Sequence, residues 1–186
     1  MGFIQYYKEQ VEVIKDRDPA IKTNLEALLY PSFWAIYKYR KAHKLYEKGH
    51  VFRARMISQR AARKTGIEIH PAAQIGKGLF IAHPYGITIN DKCIIGMNCN
   101  IHKGVTIGQE NRGKRQGTPI IGDNVWIGMN VTIVGNIKIG NDVLIAPNTY
   151  LNCDVPSHSI VLGNPARIIV KDNATSEYIN NIVGDQ

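Results

Sequence analysis

The stretch "LFIAHPYGITIN" (79–90) places one histidine, His83, between a proline, an aromatic and a glycine. An imidazole titrates near neutrality, so a histidine can take a proton from an alcohol at physiological pH. A working base is usually oriented by a carboxylate. Glu68 lies fifteen residues before His83 and is the acidic side chain placed to do so.

The elements that must position these residues are written in a repeat. From Ile121 the chain reads "IGDNVW IGMNVT IVGNIK IGNDVL IAPNTY LNCDVP". Ile121, Ile127, Ile133, Ile139, Ile145 and Leu151 are six apart. Ile89, Ile95, Ile101 and Ile107 obey the same rule, as do Ile69, Ile75 and Ile81. Glycine often follows the aliphatic residue, with Asn or Asp close behind. Such a hexapeptide repeat predicts a parallel β-helix in which three units form one triangular coil, aliphatics point to the axis, and Gly and Asn take the corners. The register slips twice. Ile81 to Ile89 is eight residues, and that slip contains His83. Ile107 to Ile121 is fourteen, and that slip contains "GQENRGKRQGTP", a polar, basic loop that must be extruded. Binding and catalysis commonly sit on such interruptions of a rigid scaffold.

Residues 1–66 lack the repeat. They carry 14 Lys and Arg against 6 Asp and Glu, so the whole formal charge of +8 lies in this first third. Its basic residues fall at helical spacing among apolar ones, which predicts solvated helix faces and not a nucleic-acid interface. Four helices are expected: over "FIQYYKEQVEVIK", from Pro19 after Asp18 as N-cap, from Pro31 to Gly49, and from His50 to Gly66. The expected organisation is α+β: a helical cap (1–66), a left-handed parallel β-helix of hexapeptide repeats with one extruded loop (67–170), and a polar tail (171–186). Cys93 and Cys99 stand at aliphatic positions of the repeat and read as core residues, with Cys153 also in the repeat; no metal site or disulfide framework is expected. Charges run through residues 1–20 and no apolar run approaches about 20 residues, so neither a signal peptide nor a membrane span is expected, and the cytoplasm is the default location.

The segments "RDPAIKTNLEALLYPSFWAIYKYRKAHKLY" and "GIEIHPAAQIGKGLFIAH" resemble the serine acetyltransferases, from about residue 12 to 170. That resemblance implies direct acetyl transfer from acetyl-CoA to an acceptor hydroxyl, L-serine in the first step of cysteine biosynthesis, at the seam between subunits of a homotrimer that can pair into a dimer of trimers. It implies that His83 is the base, that Glu68 orients it, and that Asp18 binds the acceptor. Met129, Gly135, Ala146 and Pro147 would line the acetyl-CoA groove, and Arg167 and Lys171 would meet its phosphates. The sequence also departs from the family. Ala82 precedes His83 where the family has Asp; Gly117 and Thr118 replace an Arg–His pair; and "GQEN" replaces a "GGTG" loop opening. Arg112, Lys114 or Arg115 could stand in for the missing Arg. "AHPYGITIN" is also similar to acetyltransferases that modify sugars of surface polysaccharides, so a sugar hydroxyl is the alternative acceptor. The third reading is a non-catalytic scaffold whose cap binds a partner protein.

Overall fold

The computed structural model describes residues 3–180 and 182. The end of the polar tail lies outside the described residues. Four helices precede fifteen short strands. They are α1 (Phe3–Arg17), α2 (Asn24–Ala27), α3 (Pro31–Glu47) and α4 (Val51–Thr65). Pro31 opens α3, and Gly66, at φ 68°, closes α4 in the left-handed region. The second helix starts later than the sequence suggests. Thr23 and Glu26 form a reciprocal capping box that fixes the start at Asn24. Asp18 does not cap it; its carboxylate instead accepts from the Ala20 amide at 3.0 Å.

From Ile67 the chain winds into a parallel β-helix with three faces. Face A holds β1 (Ile67–Ile69), β4 (Ile87–Ile89), β7 (Thr106–Gly108), β10 (Thr132–Val134) and β13 (Tyr150–Leu151). Face B holds β2 (Gln74–Ile75), β5 (Ile94–Ile95), β8 (Ile120–Ile121) and β11 (Lys138–Ile139). Face C holds β3 (Phe80–Ala82), β6 (Asn100–His102), β9 (Val125–Ile127), β12 (Val143–Ile145) and β14 (Ser159–Leu162), closed by the antiparallel β15 (Arg167–Val170). The repeat's aliphatic residues, six apart on successive faces, stack in register with those one coil on. Ile69 meets Ile89, then Ile107, Ile133 and Leu151 on face A. Ile81 meets Ile101, then Ile127, Ile145 and Val161 on face C. All are buried, as are Cys93 and Cys99. The corners are turned by Asn98, Asn124, Asn130, Asp142 and Asn148 at positive φ.

A stack of coils has two open ends, each a row of unpaired backbone groups. At the first end, alternate carbonyls of coil one face away from coil two, and the helices meet them. Gln10 donates to Leu79 O at 3.0 Å, and the Tyr39 hydroxyl to Ala73 O at 2.7 Å. Ser58 donates to Ile69 O, and the Arg40 guanidinium to Ile75 O and Gly76 O. Arg17, at the last position of α1, donates to Gly78 O and to Asn100 Oδ1, both at 2.7 Å. Burial lowers the Arg17 pKa to about 10, still far above neutrality, so it remains a cation. The cap is thus bonded, not merely packed, to the β-helix.

This interface predicts graded losses. Tyr39→Phe leaves one carbonyl without its donor and should cost about 1–2 kcal/mol, whereas Arg40→Met removes two charge-assisted bonds and should cost about 3–5 kcal/mol. Urea denaturation followed by circular dichroism checks the order. Equal midpoints for the two variants would show that the guanidinium bonds contribute nothing beyond packing.

Candidate active site

The two extra residues at the first slip form a bulge at the corner between faces C and A. His83 lies at φ 47°, Tyr85 at φ 131° and Gly86 at φ 69°. Non-glycine residues in such regions cost on the order of 1–3 kcal/mol each and persist only where the surroundings hold them. Here the Gly86 amide donates to Gly66 O at 2.9 Å, and Tyr85 O accepts from the Gly104 amide at 3.0 Å. The bulge therefore joins the corner ladder above and below it, and it leaves the His83 side chain exposed. His83, Pro84, Tyr85 and Gly86, with Lys103, Gly104 and Asn130 from the coils beneath, form one wall of a hollow of about 690 Å³. Leu29, Tyr30 and Pro31 of the cap form the other.

Asp18 reaches this hollow through Tyr30, whose hydroxyl donates to Asp18 Oδ2 at 2.6 Å. Burial, then the bond to Asp18, pushes the Tyr30 phenol up to about 12, so it stays a donor. Asp18 is also the next residue after Arg17, which is bonded to the first and second coils. Glu68 is exposed on face A, in register with Thr88. Among the described residues it makes no hydrogen bond to His83.

A second imidazole lies beside the first. His102 is in register with Ala82, the residue before His83. Its ring lies 4.7 Å from that of Trp126, which is itself 5.0 Å from that of Tyr178. Burial, reinforced by repulsion from His83, lowers the His102 pKa to about 4. His102 is therefore neutral at physiological pH and sets no positive charge against His83. The sequence marked neither His102 nor Tyr30. His102 follows a core isoleucine like many outward residues, and Tyr30 stands at a helix start, so only the fold brings them near His83.

The remaining candidates, Lys171 apart, divide between two edges of face A. Met129, Ala146 and Pro147 turn the corner between faces C and A, in the column below His83, and Arg167 begins β15 opposite Leu162 at the foot of the same column. Gly135 and the extruded loop lie at the corner between faces A and B. There Glu110 pairs with Gly117, Asn136 donates to Arg115 O, and the Arg115 guanidinium approaches Asp154 at 3.6 Å. The Thr118 hydroxyl donates to Lys92 O, and the Arg112 amide to Glu110 Oε1. Within one chain, therefore, Arg112, Arg115, Thr118 and Gly135 do not meet His83. Lys171 lies at the corner between faces B and C, its amide bonded to His158 O, away from the column. Among the described residues, no group of three or more His, Cys, Asp or Glu could hold a metal ion.

Comparison with known proteins gives the same frame. Residues 118–153 match the bacterial transferase hexapeptide family model (six repeats), and residues 86–110 match a hexapeptide repeat of succinyl-transferase. A serine acetyltransferase of Staphylococcus xylosus is 43% identical over 173 residues, covering 91% of this chain and 79% of its own. A Neisseria gonorrhoeae serine acetyltransferase solved in complex with serine superposes with a TM-score of 0.82 at 36% identity, over 89% of this chain and 68% of that one. A Brucella abortus serine acetyltransferase solved with coenzyme A superposes with a TM-score of 0.85 at 32% identity, over 91% and 68%.

The depressed His102 pKa predicts a pH dependence of stability. The unfolded imidazole titrates near 6.5 and the folded one near 4, so between these values the unfolded chain binds more protons. The contribution is fully present above pH 6.5 and is lost as pH falls toward 4. Denaturation midpoints measured across this window should fall more steeply for the wild type than for His102→Leu. Parallel slopes would mean that His102 titrates normally in the fold.

Proposed function

The chain belongs to the serine acetyltransferase family, and on that premise we propose that it transfers the acetyl group of acetyl-CoA to the hydroxyl of L-serine, the step that opens cysteine biosynthesis. The observation that carries this reading is His83, held out of the β-helix on a strained bulge and facing a cap wall that presents Asp18 through Tyr30. In the proposed reaction His83 takes the serine hydroxyl proton as the oxygen attacks the thioester carbonyl. The C–S bond breaks, the thiolate leaves as CoA after taking up the proton, and O-acetylserine is released. Asp18 is suited to the serine ammonium, a charge that needs a partner once it leaves water. Glu68 is the acid on the adjoining face that would orient His83.

Acetyl-CoA fits the corner column. From the His83 bulge to Arg167 the column descends four coils of about 4.8 Å each, near 19 Å in all, a span suited to an extended pantetheine arm with its phosphates toward Arg167. Met129, Ala146 and Pro147 would line this column. Gly135, Arg112, Arg115 and Thr118 belong to the opposite edge of face A, so they can join the site only from a second copy. This is the support for a homotrimer whose sites lie at its seams; the 1–66 cap, 67–170 β-helix and 171–186 tail would be the parts of each protomer. Light scattering at micromolar protein should give three times the 20.8 kDa chain mass, or six times for a dimer of trimers. A monomer with full activity would exclude a shared site.

A sugar hydroxyl is the second reading. It is favoured by Ala82, a buried apolar residue beside the base, and by Thr118, whose hydroxyl is engaged by Lys92 O. Thiol release from acetyl-CoA should be fastest with L-serine in a panel of serine and hexose acceptors. His83→Ala should lower that turnover by about 10²–10⁴-fold with CoA affinity little changed. Release with a hexose alone would assign the sugar reading, and none with any acceptor would leave a scaffold.

A further inference from the structure

The reaction just proposed uses the hollow below Tyr30 and leaves a second, larger one unexplained. It lies within the helical cap, has a volume of about 920 Å³, and shares Leu29 and Pro31 with the His83 hollow. Its apolar floor is built from Ile57 and Ala61 of α4. Trp34 stands on its wall, half exposed, with its indole N–H fixed to Leu28 O at 2.8 Å. Four cations surround it: Lys38 from α3 and Arg60, Arg63 and Lys64 from α4. Among the described residues none of the four pairs with a carboxylate; the ion pairs present are elsewhere, at His43, Arg115 and His158.

Helix electrostatics accounts for part of this. Arg63 and Lys64 occupy the last turn of α4, where the helix dipole favours positive charge. It does not account for Lys38, which lies in the middle of α3, or for Arg60 a turn earlier. Nor does it account for an open apolar floor beneath like charges that no carboxylate offsets, with Lys38 also 5.7 Å from the centre of the Tyr37 ring. Phosphate answers that arrangement, because arginine presents paired donors to phosphate oxygens and several cations can share one diphosphate. The Trp34 indole, stacked by Phe3 at 6.4 Å and edged by Phe33 and Tyr37, is 39% exposed, and that exposed part extends the aromatic cluster as an apolar surface for a ring. A solvent-facing membrane anchor would instead present its apolar side chains on a convex surface, and here the floor is recessed.

We propose that this cap hollow is a binding site for a soluble organic phosphate bearing a flat ring, of the size and chemistry of a nucleoside diphosphate. The diphosphate sits among Arg60, Arg63, Lys64 and Lys38, and the ring lies against Trp34. The site is separate from the acetyl-CoA column, which runs down the β-helix from His83 toward Arg167. It does not depend on which hydroxyl is acetylated, since binding is read without an acceptor.

Isothermal titration calorimetry of the full chain, with CoA saturating, tests it using uridine diphosphate and inorganic pyrophosphate as probes. Uridine diphosphate should bind one per chain and more tightly than pyrophosphate. The double variant Arg60→Gln, Arg63→Gln should lose about ten- to a hundredfold in affinity, the loss expected for charge-assisted bonds. Its thiol release with the preferred acceptor should stay within about twofold of wild type, which also shows that it folds. The proposal is overturned if neither probe binds, if the double variant binds uridine diphosphate as the wild type does, or if both probes bind equally. It is also overturned if the cations respond only to vesicles of phosphatidylglycerol, which would make the patch a lipid surface.

Discussion

The structure depends on how the first coil of the β-helix finds partners for its outward carbonyls. A solenoid can extend only because each coil satisfies the next, and its first coil has no predecessor. Here the predecessor is replaced by side chains: Gln10, Arg17, Tyr39, Arg40 and Ser58 each supply a donor to a different part of that open edge. These donors come from three helices, so the cap cannot shift as a body without stripping several carbonyls at once. The basic character of the first third is therefore partly a requirement of the fold. Two of its arginines, Arg17 and Arg40, do the work that a neighbouring strand would do.

That anchoring has a direct consequence for the site. Arg17 is bonded to coils one and two, and Asp18 follows it with no flexible spacer. Those bonds hold the end of α1 at the corner between faces B and C, and the Tyr30 hydroxyl, on the wall of the His83 hollow, holds the Asp18 carboxylate behind that wall. The opposite wall is equally constrained. The bulge bearing His83 holds two non-glycine residues in costly conformations, and its amide and carbonyl bonds to Gly66 and Gly104 hold it there. The cap and the β-helix thus face each other across the hollow, with the His83 imidazole on one wall and Tyr30, bonded to the Asp18 carboxylate, on the other. The half-buried His102, neutral beside Trp126, adds no positive charge of its own next to His83.

The coils were legible in the sequence because their signal is redundant. Ile69 through Leu151 repeat the same choice at the same spacing, and a single error in reading one unit does not shift the others. The bulge was legible for the same reason: against a strict period, two extra residues at His83 stand out. The caps of α3 and α4 were legible from Pro31 and Gly66, since each residue has one favoured place in a helix. The start of α2 was not, because Asp18 offered an equally good N-cap and its carboxylate was taken by the Ala20 amide and Tyr30 instead. Tyr30 and His102 were hidden because nothing about their sequence neighbours is unusual. Their importance comes from partners far along the chain.

The arrangement of the two slips carries one more step. Every interval across the corner between faces B and C keeps the six-residue period, from Ile75 to Ile81 through Val155 to Val161. The insertions fall at the other two corners, and these are the two edges of face A. Each interrupts the stack once, His83 at one edge and the extruded loop at the other. Face A itself, with short outward residues such as Thr88, Thr106 and Thr132, separates them. A chain that meant to join its two interruptions within one molecule would place them at one corner, on successive coils. Placing them at opposite edges of a single flat face keeps each half exposed along a straight margin, where the edge of another copy can meet it. The regular third corner is then free of any insertion that would obstruct the stack. The sequence writes this division into its spacing: two insertions at the two edges of face A, one shortened step from Leu151 to Val155 at the corner between faces A and B, and no departure at the third corner.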